Sequence, residues 1–227
     1  MTAPASARIV LVGTGTSVGK TWVGRELLAE LRRRERRVVG LKPVESGLDG
    51  DAGPSDASEL ASQSALQPAV APYRFREPLS PHLAARRVGA SIELARLLTY
   101  VQLHESSSGS LDAVLIETAG GLFSPLSDTL TNWDLARALE PAVWILVAPD
   151  ALGVLHDVRA SLEAARARGR APDELVLSAA RPADQSTGTN GDELVRLGLA
   201  PRVFGCGRGD PSGIPALADA LLTPRAV

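Results

Sequence analysis

Cysteine, lysine and long apolar runs are scarce in this sequence of 227 residues. The one cysteine, Cys206, excludes an internal disulfide framework and a zinc site built from several thiolates. The longest apolar runs, such as residues 142–148, are far shorter than a membrane span. The N-terminal residues carry no signal-peptide pattern, so we expect a cytoplasmic protein without a membrane segment.

An excess of charge of either sign is also missing, since 24 Lys and Arg oppose 26 Asp and Glu. This balance disfavours a nucleic-acid or membrane-surface partner, whose affinity rests on excess basic residues. We interpret the arginine-rich run at residues 32–37 as the solvated end of a helix. With 44% hydrophobic and 22% charged residues the chain is globular, and we expect one domain over residues 1–227.

Only Lys20 and Lys42 are lysines among the 24 basic residues. In a sequence that uses arginine almost everywhere, lysine is expected where a compact, flexible ammonium does what a planar guanidinium does not. Both lysines lie in motifs marked by glycine or proline. They are therefore candidate functional residues.

Short apolar runs alternate with amphipathic stretches along the chain. Continuous apolar strands separated by helices predict an α/β protein with a doubly wound, mainly parallel sheet and helices on both faces. The polar residues 181–191 predict a loop. We predict strands at residues 8–12, 38–42, 113–117, 143–148 and 175–177, and helices at residues 19–35, 55–65, 91–105, 135–139, 153–168 and 212–222.

The sequence GTGTSVGKT, residues 13–21, follows the first predicted strand and opens the first helix, as a P-loop requires. Glycines let backbone N–H groups turn inward around phosphate oxygens, and the helix N-terminus adds positive potential. We predict that Lys20 reaches the outer phosphates and that the Thr21 hydroxyl binds Mg²⁺. The predicted nucleotide-binding residues of this loop are Thr16, Ser17, Val18, Gly19, Lys20 and Thr21.

Two acidic residues are candidate metal ligands beside this loop. Glu117 ends a buried strand, and Thr118, Ala119 and Gly120 follow it as predicted nucleotide-binding residues. A carboxylate at the end of a strand beside the P-loop strand can hold Mg²⁺ or its waters. Asp56 follows the glycine- and proline-rich residues 47–54, and it is either a second metal-side carboxylate or an acid in the first turn of a helix.

The segment KPVESG, residues 42–47, closes the second predicted strand. Open α/β sheets bind their ligands at this end of the strands. Pro43 fixes the exit of the chain, and Gly47 permits a tight turn. Lys42 is thus a candidate catalytic residue, and the Ser46 hydroxyl is a candidate substrate contact.

Taken in order, these motifs resemble those of dethiobiotin synthetases, the ATP-dependent ring-closing enzymes of biotin biosynthesis. The resemblance runs from about residue 9 to about residue 156. Its elements are GTGTSVGKT (13–21), KPVESG (42–47), SDA (55–57), SPHLAA (80–85), ETAGG (117–121), SPLSDT (124–129) and LG (152–153).

The resemblance implies a P-loop fold that works as a homodimer, with the substrate bound near the subunit interface. It implies that 7,8-diaminopelargonate, CO₂ and ATP give dethiobiotin, ADP and phosphate through a carbamate and a carbamic-phosphoric anhydride. In this chain Lys20 and Lys42 are the implied catalytic residues. The implied Mg²⁺ ligands are Thr21, Asp56 and Glu117. The implied substrate contacts are Ser46, Lys42 and Gly153.

Two of the departures from the family pattern concern ligand recognition. His156 stands where the family has the asparagine of an Asn-His pair, while Gly153 and a helix N-terminus still favour a substrate carboxylate. The asparagine that reads the base in the family is absent after residues 175–177, where Ser178, Ala179 and Ala180 follow. The sequence therefore assigns no nucleobase.

Two other protein classes share a P-loop domain and are alternatives. A regulatory or partitioning-type ATPase carries a further lysine early in the loop, where this chain has Gly15. An amide-forming ligase of the cobyrinate type usually adds a glutamine-hydrolysing domain with a nucleophilic cysteine, and Cys206 lies late in the sequence. Among the histidines, we expect His82 to shape a loop and His104 to lie on an ordinary helix face.

Overall fold

The computed structural model describes residues 6–48, 55–107, 111–207 and 210–223, in which strands and helices alternate. The strands are β1 (Ala7–Gly13), β2 (Val38–Leu41), β3 (Val44–Ser46), β4 (Tyr73–Phe75), β5 (Ala113–Glu117), β6 (Val143–Pro149), β7 (Glu174–Ser178) and β8 (Phe204–Cys206). The helices are α1 (Lys20–Arg33), α2 (Asp56–Ser62), α3 (Pro81–Arg87), α4 (Leu94–Ser107), α5 (Asn132–Ala138), α6 (Val154–Ala167), α7 (Asn190–Arg196) and α8 (Gly213–Leu222).

A six-stranded parallel sheet in the order β2-β5-β1-β6-β7-β8 forms the centre of the fold. The chain extends this sheet to one side of β1 with β5 and β2, and to the other side with β6, β7 and β8. The direction of winding therefore changes beside β1, and open α/β sheets bind ligands at such a point, outside the carboxyl ends of the strands. β3 and β4 pair separately as a short parallel sheet.

The side chains of the central strands alternate between two apolar clusters, one on each face of the sheet. In β1, Ile9 and Leu11 join residues of α1, α2 and α8 in one cluster. Val10 and Val12 join residues of α4, α5 and α6 in the other. Because both faces are covered, the strands are continuously apolar, and the predicted doubly wound parallel fold is confirmed.

The predicted helices differ from the observed ones mainly at their ends. α1 begins at Lys20 because Gly19 has a left-handed backbone with φ of 88°. α5 begins at Asn132, before its predicted start at residue 135, because the Thr131 side chain caps it and accepts from the Asp134 N–H. The prediction of a loop over residues 181–191 is wrong at its end, where α7 starts at Asn190.

Two histidines take part in local packing. The prediction that His104 lies on an ordinary helix face is wrong, because His104 is buried. Its Nδ1 donates to the Tyr100 carbonyl at 2.7 Å and its Nε2 accepts from the Ala69 N–H at 2.9 Å, which ties the segment before β4 to α4. His82 Nδ1 contacts the Ser80 hydroxyl at 3.0 Å where α3 begins.

Within the described part of the chain, every helix is too short or too polar to traverse a lipid bilayer.

Candidate active site

A cavity of about 430 Å³ lies at the carboxyl ends of the central strands, beside the point where the winding changes. It combines phosphate-loop residues with buried charges. Its wall consists of Thr16, Ser17, Val18, Gly19, Lys20, Thr21, Trp22, Lys42, Ser46, Asp56, Glu117, Gly120, Ser178, Ala179 and Ala180.

The P-loop turns from β1 into α1 around the ammonium of Lys20. This Nζ donates to the carbonyl oxygens of Gly15 at 3.0 Å and Gly120 at 2.8 Å. A Cβ at Gly13 would lie 3.0 Å from Nζ, so glycine leaves the space that the lysine occupies. Burial lowers the pKa of Lys20 to about 8, although the charge of Glu117 opposes this shift. The loop therefore holds a cation that is costly to bury until an anion binds.

Gly19 lets the P-loop pack against the end of β7. Its φ of 88° is in the left-handed region, which glycine adopts without strain. A Cβ there would lie 2.7 Å from the Ser178 hydroxyl oxygen. That hydroxyl donates to the Val18 carbonyl at 2.6 Å. Both the backbone conformation and the close approach of β7 thus require glycine at this position.

Lys42 lies between two carboxylates at the edge of the cavity. Its Nζ donates to Glu117 Oε1 at 2.8 Å and also to Asp56 Oδ2. The same Glu117 oxygen accepts from the Thr21 hydroxyl at 3.0 Å. Burial by itself lowers the pKa of Lys42, but the attraction of Glu117 and Asp56 outweighs burial and raises it above its ordinary value. Lys42 is therefore charged at every physiological pH.

The second carboxylate oxygen of Glu117 is a candidate metal ligand. Glu117 is 1% exposed, and its Oε2 has no hydrogen-bond partner among the described residues. The described residues contain no group of three or more His, Cys, Asp and Glu side chains that could enclose a metal. Mg²⁺ is usually held by one or two carboxylates together with substrate phosphates. The donor set of Thr21, Asp56 and Glu117 fits that kind of site.

Glu45, a buried acid that was not predicted from the sequence as a site residue, anchors the start of α2. Its Oε1 accepts from the Ala57 N–H at 3.2 Å. Burial raises the pKa of Glu45, and the hydrogen bond from Ala57 offsets part of this rise. Ser55 caps the same helix by accepting from the Ser58 N–H at 3.1 Å. These contacts hold Asp56, the first residue of α2, beside Lys42.

Ser46 is the last residue of β3 and faces the cavity. Its hydroxyl donates to the Leu79 carbonyl at 2.8 Å, so its oxygen lone pairs are available to a hydrogen-bond donor. Gly47 follows with φ of 81° and turns the chain away from the site. Residues 49–54 of the glycine- and proline-rich segment before Asp56 lie outside the described residues.

Most of the site residues expected from the sequence line this one cavity, but three do not. Thr118 and Ala119 are buried behind the wall, where the Thr118 hydroxyl donates to the Leu11 carbonyl at 3.1 Å. Gly153 is exposed and immediately precedes α6, with φ of 99°. It does not line this cavity.

Two further residues near the site were not predicted from the sequence. Asn132 is fully buried, and its amide donates to the carbonyls of Ala119 at 2.6 Å and Gly121 at 2.8 Å. It thus supports the loop whose Gly120 carbonyl receives Lys20, and no local pattern marks it. Trp22 lines the cavity, and its position directly after Thr21 was a signal that could have identified it.

Known proteins resemble this chain in sequence and in fold. A family model described as an AAA domain matches residues 7–205. An ATP-dependent dethiobiotin synthetase BioD of Rhodopirellula baltica is 38% identical over 212 residues, covering 85% of this chain and 81% of that protein. Another from Caulobacter sp. (strain K31) is 38% identical and covers 94% of each chain. The chain belongs to the dethiobiotin synthetase family. The resemblance inferred from the motifs is confirmed.

Solved structures share the fold of this dethiobiotin synthetase family member. The MinC:MinD cell division protein complex of Aquifex aeolicus matches with a TM-score of 0.55 at 10% identity, over 98% of both chains. A ParA family ATPase from Chlorobium tepidum TLS matches with a TM-score of 0.52 at 16% identity, over 96% of this chain and 88% of that one. At such identities the likeness shows the fold alone, so it lends no support to a partitioning function.

Proposed function

We propose that this chain closes the ureido ring of dethiobiotin, using 7,8-diaminopelargonate, CO₂ and ATP and releasing ADP and phosphate. The observation that carries the proposal is the convergence of Lys20, Lys42, Thr21 and Glu117 on one cavity at the end of the P-loop. Family membership supports the same reaction. Phosphoryl transfer depends mainly on positioning and on cations that stabilise spread negative charge, and this site supplies both.

The P-loop binds the triphosphate of ATP. Lys20 Nζ now donates to two carbonyl oxygens, and β- and γ-phosphate oxygens replace these acceptors when the nucleotide enters. The exchange is favourable because a phosphate is an anion and a carbonyl is not. Backbone N–H groups at the start of α1, after Gly19, add positive potential at the same point.

Thr21, Asp56 and Glu117 would hold the Mg²⁺ of Mg-ATP. The buried, unpartnered Oε2 of Glu117 and the nearby Thr21 hydroxyl are the oxygens that suit a hard cation. When bound, Mg²⁺ neutralises charge on the β- and γ-phosphates. Asp56 lies close to these oxygens, because Lys42 Nζ pairs with both Asp56 and Glu117.

Lys42 stabilises the reacting oxygen atoms. One substrate amine adds to CO₂ and loses a proton, which gives a carbamate. A carbamate oxygen then attacks the γ-phosphorus, the bond to ADP breaks, and a carbamic-phosphoric anhydride forms. The second amine attacks the carbonyl carbon, and the C–O bond breaks to release phosphate. Negative charge on oxygen persists throughout, and the permanently charged ammonium of Lys42 lies where it can stabilise that charge.

Ser46 positions the diamine. Because its hydroxyl proton is donated to the Leu79 carbonyl, its oxygen accepts a hydrogen bond from a substrate amine. Such a contact orients the nitrogen lone pair toward the reacting carbon only when the amine is neutral. Positioning of this kind accounts for a large part of the rate enhancement in ring closure.

We also propose that the protein is a single domain over residues 1–227 and acts as a homodimer in the cytoplasm. Gly153 lies outside the cavity of its own protomer, so its proposed contact with the substrate carboxylate requires a second copy of the chain. The exposed N-terminus of the 14-residue helix α6, which follows Gly153, is suited to an anion. Leu152, which is 79% exposed beside it, is the apolar side chain that we expect at this contact between protomers.

The reaction is tested by incubating purified protein with 7,8-diaminopelargonate, Mg-ATP and ¹⁸O-labelled bicarbonate. The scheme predicts dethiobiotin, with one ADP and one phosphate per ring, and transfer of one ¹⁸O atom into the phosphate. The 7-amino and 8-amino monoamine analogues serve as controls, since neither can close a ring. ATP hydrolysis that is independent of the diamine, with no dethiobiotin formed, would refute the proposal.

A further inference from the structure

The order of the strands distinguishes two sides of the cavity. We call the side near β2 and β5 the reacting side and the side near β7 and β8 the far side. Lys42 follows β2 and Glu117 ends β5, and both strands lie on one side of β1. Ser178 ends β7 and Cys206 ends β8, on the other side of β1. Since the P-loop leaves the central strand β1, a nucleotide whose γ-phosphate points toward Lys42 directs its base toward β7 and β8.

Trp22 lies at this far side. Trp22 lines the cavity together with Ser178, Ala179 and Ala180. Cys206 of β8 belongs to the apolar cluster beneath α1, and the Trp22 side chain packs against the same cluster and interacts with the Cys206 side chain. The large aromatic surface in the cavity wall is therefore located where the base is expected.

The indole is held in one orientation. The Arg25 guanidinium lies over the ring, 4.4 Å from its centroid, and donates to Glu26 at 2.9 Å. The ring also packs against the apolar cluster beneath α1. A preorganised aromatic ring binds a flat ligand at low entropic cost.

The neighbouring segment offers little for reading a base by hydrogen bonds. Ala179 and Ala180 have no polar side-chain atoms, and the Ser178 hydroxyl proton is donated to the Val18 carbonyl. Side-chain hydrogen bonds discriminate strongly between similar ligands, whereas stacking tolerates every base because each has a π-face. The composition of this wall therefore favours stacking over hydrogen-bond recognition.

We propose that Trp22 is the residue against which the nucleobase packs, and that recognition by this surface makes the enzyme permissive among nucleoside triphosphates. The inference rests on the proposed function, because it assumes that the cavity binds a nucleotide. It goes further by explaining how the base of the nucleotide is recognised, namely by an aromatic side chain at the start of α1.

The test compares nucleotides with inorganic tripolyphosphate, which carries the phosphates without a base. Binding is followed by tryptophan fluorescence and by calorimetry. ATP, CTP and GTP should each quench the fluorescence of the wild-type protein, whereas tripolyphosphate should bind without quenching. Trp22→Ala should raise the Kd for ATP by about tenfold and leave the Kd for tripolyphosphate unchanged. Trp22→Phe, which keeps an aromatic ring, should bind ATP more tightly than Trp22→Ala and lose the quenching.

Trp133→Phe is the matched control, because Trp133 is buried and donates to the Arg170 carbonyl at 2.9 Å, away from the cavity wall. This variant should retain the quenching. Unchanged ATP affinity in Trp22→Ala would overturn the proposal, as would a wild-type preference for ATP over CTP and GTP by more than about a hundredfold in kcat/KM. If neither ATP nor tripolyphosphate binds, the nucleotide site itself is refuted. ATP binding without dethiobiotin formation refutes only the proposed reaction.

Discussion

Lys42 and Glu117 form a buried ion pair, 2.8 Å from nitrogen to oxygen, across the ends of two adjacent parallel strands. The register of β2 and β5 explains the pair, since Leu41 lies opposite Ile116 and the next residue of each strand is therefore a neighbour of the other. Neither side chain is far from the P-loop, because Glu117 also accepts from Thr21. The Lys42 ammonium, to which we assign a catalytic role, thus also pairs with Glu117 at the carboxyl ends of the strands.

Replacing Lys42 should separate folding from catalysis. Lys42→Arg keeps a positive charge beside Glu117, so the protein should fold and bind ATP, but kcat should fall by about a hundredfold or more because a planar guanidinium does not reproduce the position of the ammonium. Lys42→Ala should abolish turnover and also lower the free energy of unfolding by about 3–5 kcal/mol, because the Glu117 carboxylate is left buried without its partner. Steady-state kinetics and urea unfolding measure the two effects. Wild-type turnover in either variant would contradict the catalytic role.

ATP affinity should fall as the pH rises through 8. The pKa of Lys20 in the nucleotide-free protein is lowered from 10.5 to about 8, so the ammonium is charged below that pH and neutral above it. The triphosphate favours the charged form, and binding above pH 8 must therefore take up a proton. We expect the Kd for ATP to rise by up to about tenfold per pH unit between pH 8 and 9.5. Calorimetric titrations across this range measure the effect.

Lys20→Arg is the control for this pH dependence. Its guanidinium keeps its proton throughout the range, so its Kd should be higher than that of the wild type at pH 7 but independent of pH. A wild-type Kd that is flat from pH 7 to 9.5 would show that Lys20 is not titrating in the site.

Glu45 should act as a positioning residue for Asp56. Glu45→Ala removes the acceptor of the Ala57 N–H at the start of α2, and we expect the Mg²⁺ concentration for half-maximal activity to rise by about tenfold. Glu45→Gln keeps a side-chain oxygen and should stay close to the wild type. Glu59→Ala, on the exposed face of the same helix, is the matched control. Equal Mg²⁺ requirements for all three variants would contradict the role.

Gly19→Ala should disrupt nucleotide binding through two additive causes. The left-handed backbone costs about 1–2 kcal/mol for a residue with a Cβ. The new Cβ would also approach the Ser178 hydroxyl to 2.7 Å and displace the loop. Gly188→Ala is the control for the first cause, because Gly188 has φ of +86° and no atom within 4 Å of the added Cβ, so its effect on the free energy of unfolding measures the left-handed backbone alone. ATP binding should be lost in Gly19→Ala and kept in Gly188→Ala, and wild-type ATP affinity in Gly19→Ala would contradict the requirement for glycine at this position.

Leu152→Glu should dissociate the proposed homodimer. A charge at this exposed apolar position, beside the start of α6, opposes an apolar contact between two copies of the chain. Sedimentation velocity should show a dimer for the wild type and a monomer for the variant, together with a raised KM for the diamine and an unchanged Kd for ATP. A monomeric wild-type protein would contradict the dimer proposal.

Some elements could not be predicted from the sequence because long-range contacts stabilise them. β3 and β4 have three residues each, and they pair in parallel across the segment that contains α2. Strands of three residues are too short to show an alternation of apolar and polar side chains. α3 and α7 have seven residues each, too few for a clear apolar period. Asn132 likewise acts through two carbonyl groups of a distant loop, which no local pattern reveals.

The sequence by itself determined the P-loop, the alternation of apolar strands and helices, and the special place of the two lysines. These are local properties, because glycine spacing, apolar period and residue choice act over a few neighbouring positions. Only the tertiary structure decided that Glu117 pairs with Lys42, that Glu45 supports α2, and that Trp22 lies in the cavity wall while Gly153 does not. Those relations depend on strand order and register, which come from packing the whole chain around two apolar clusters rather than from any single segment.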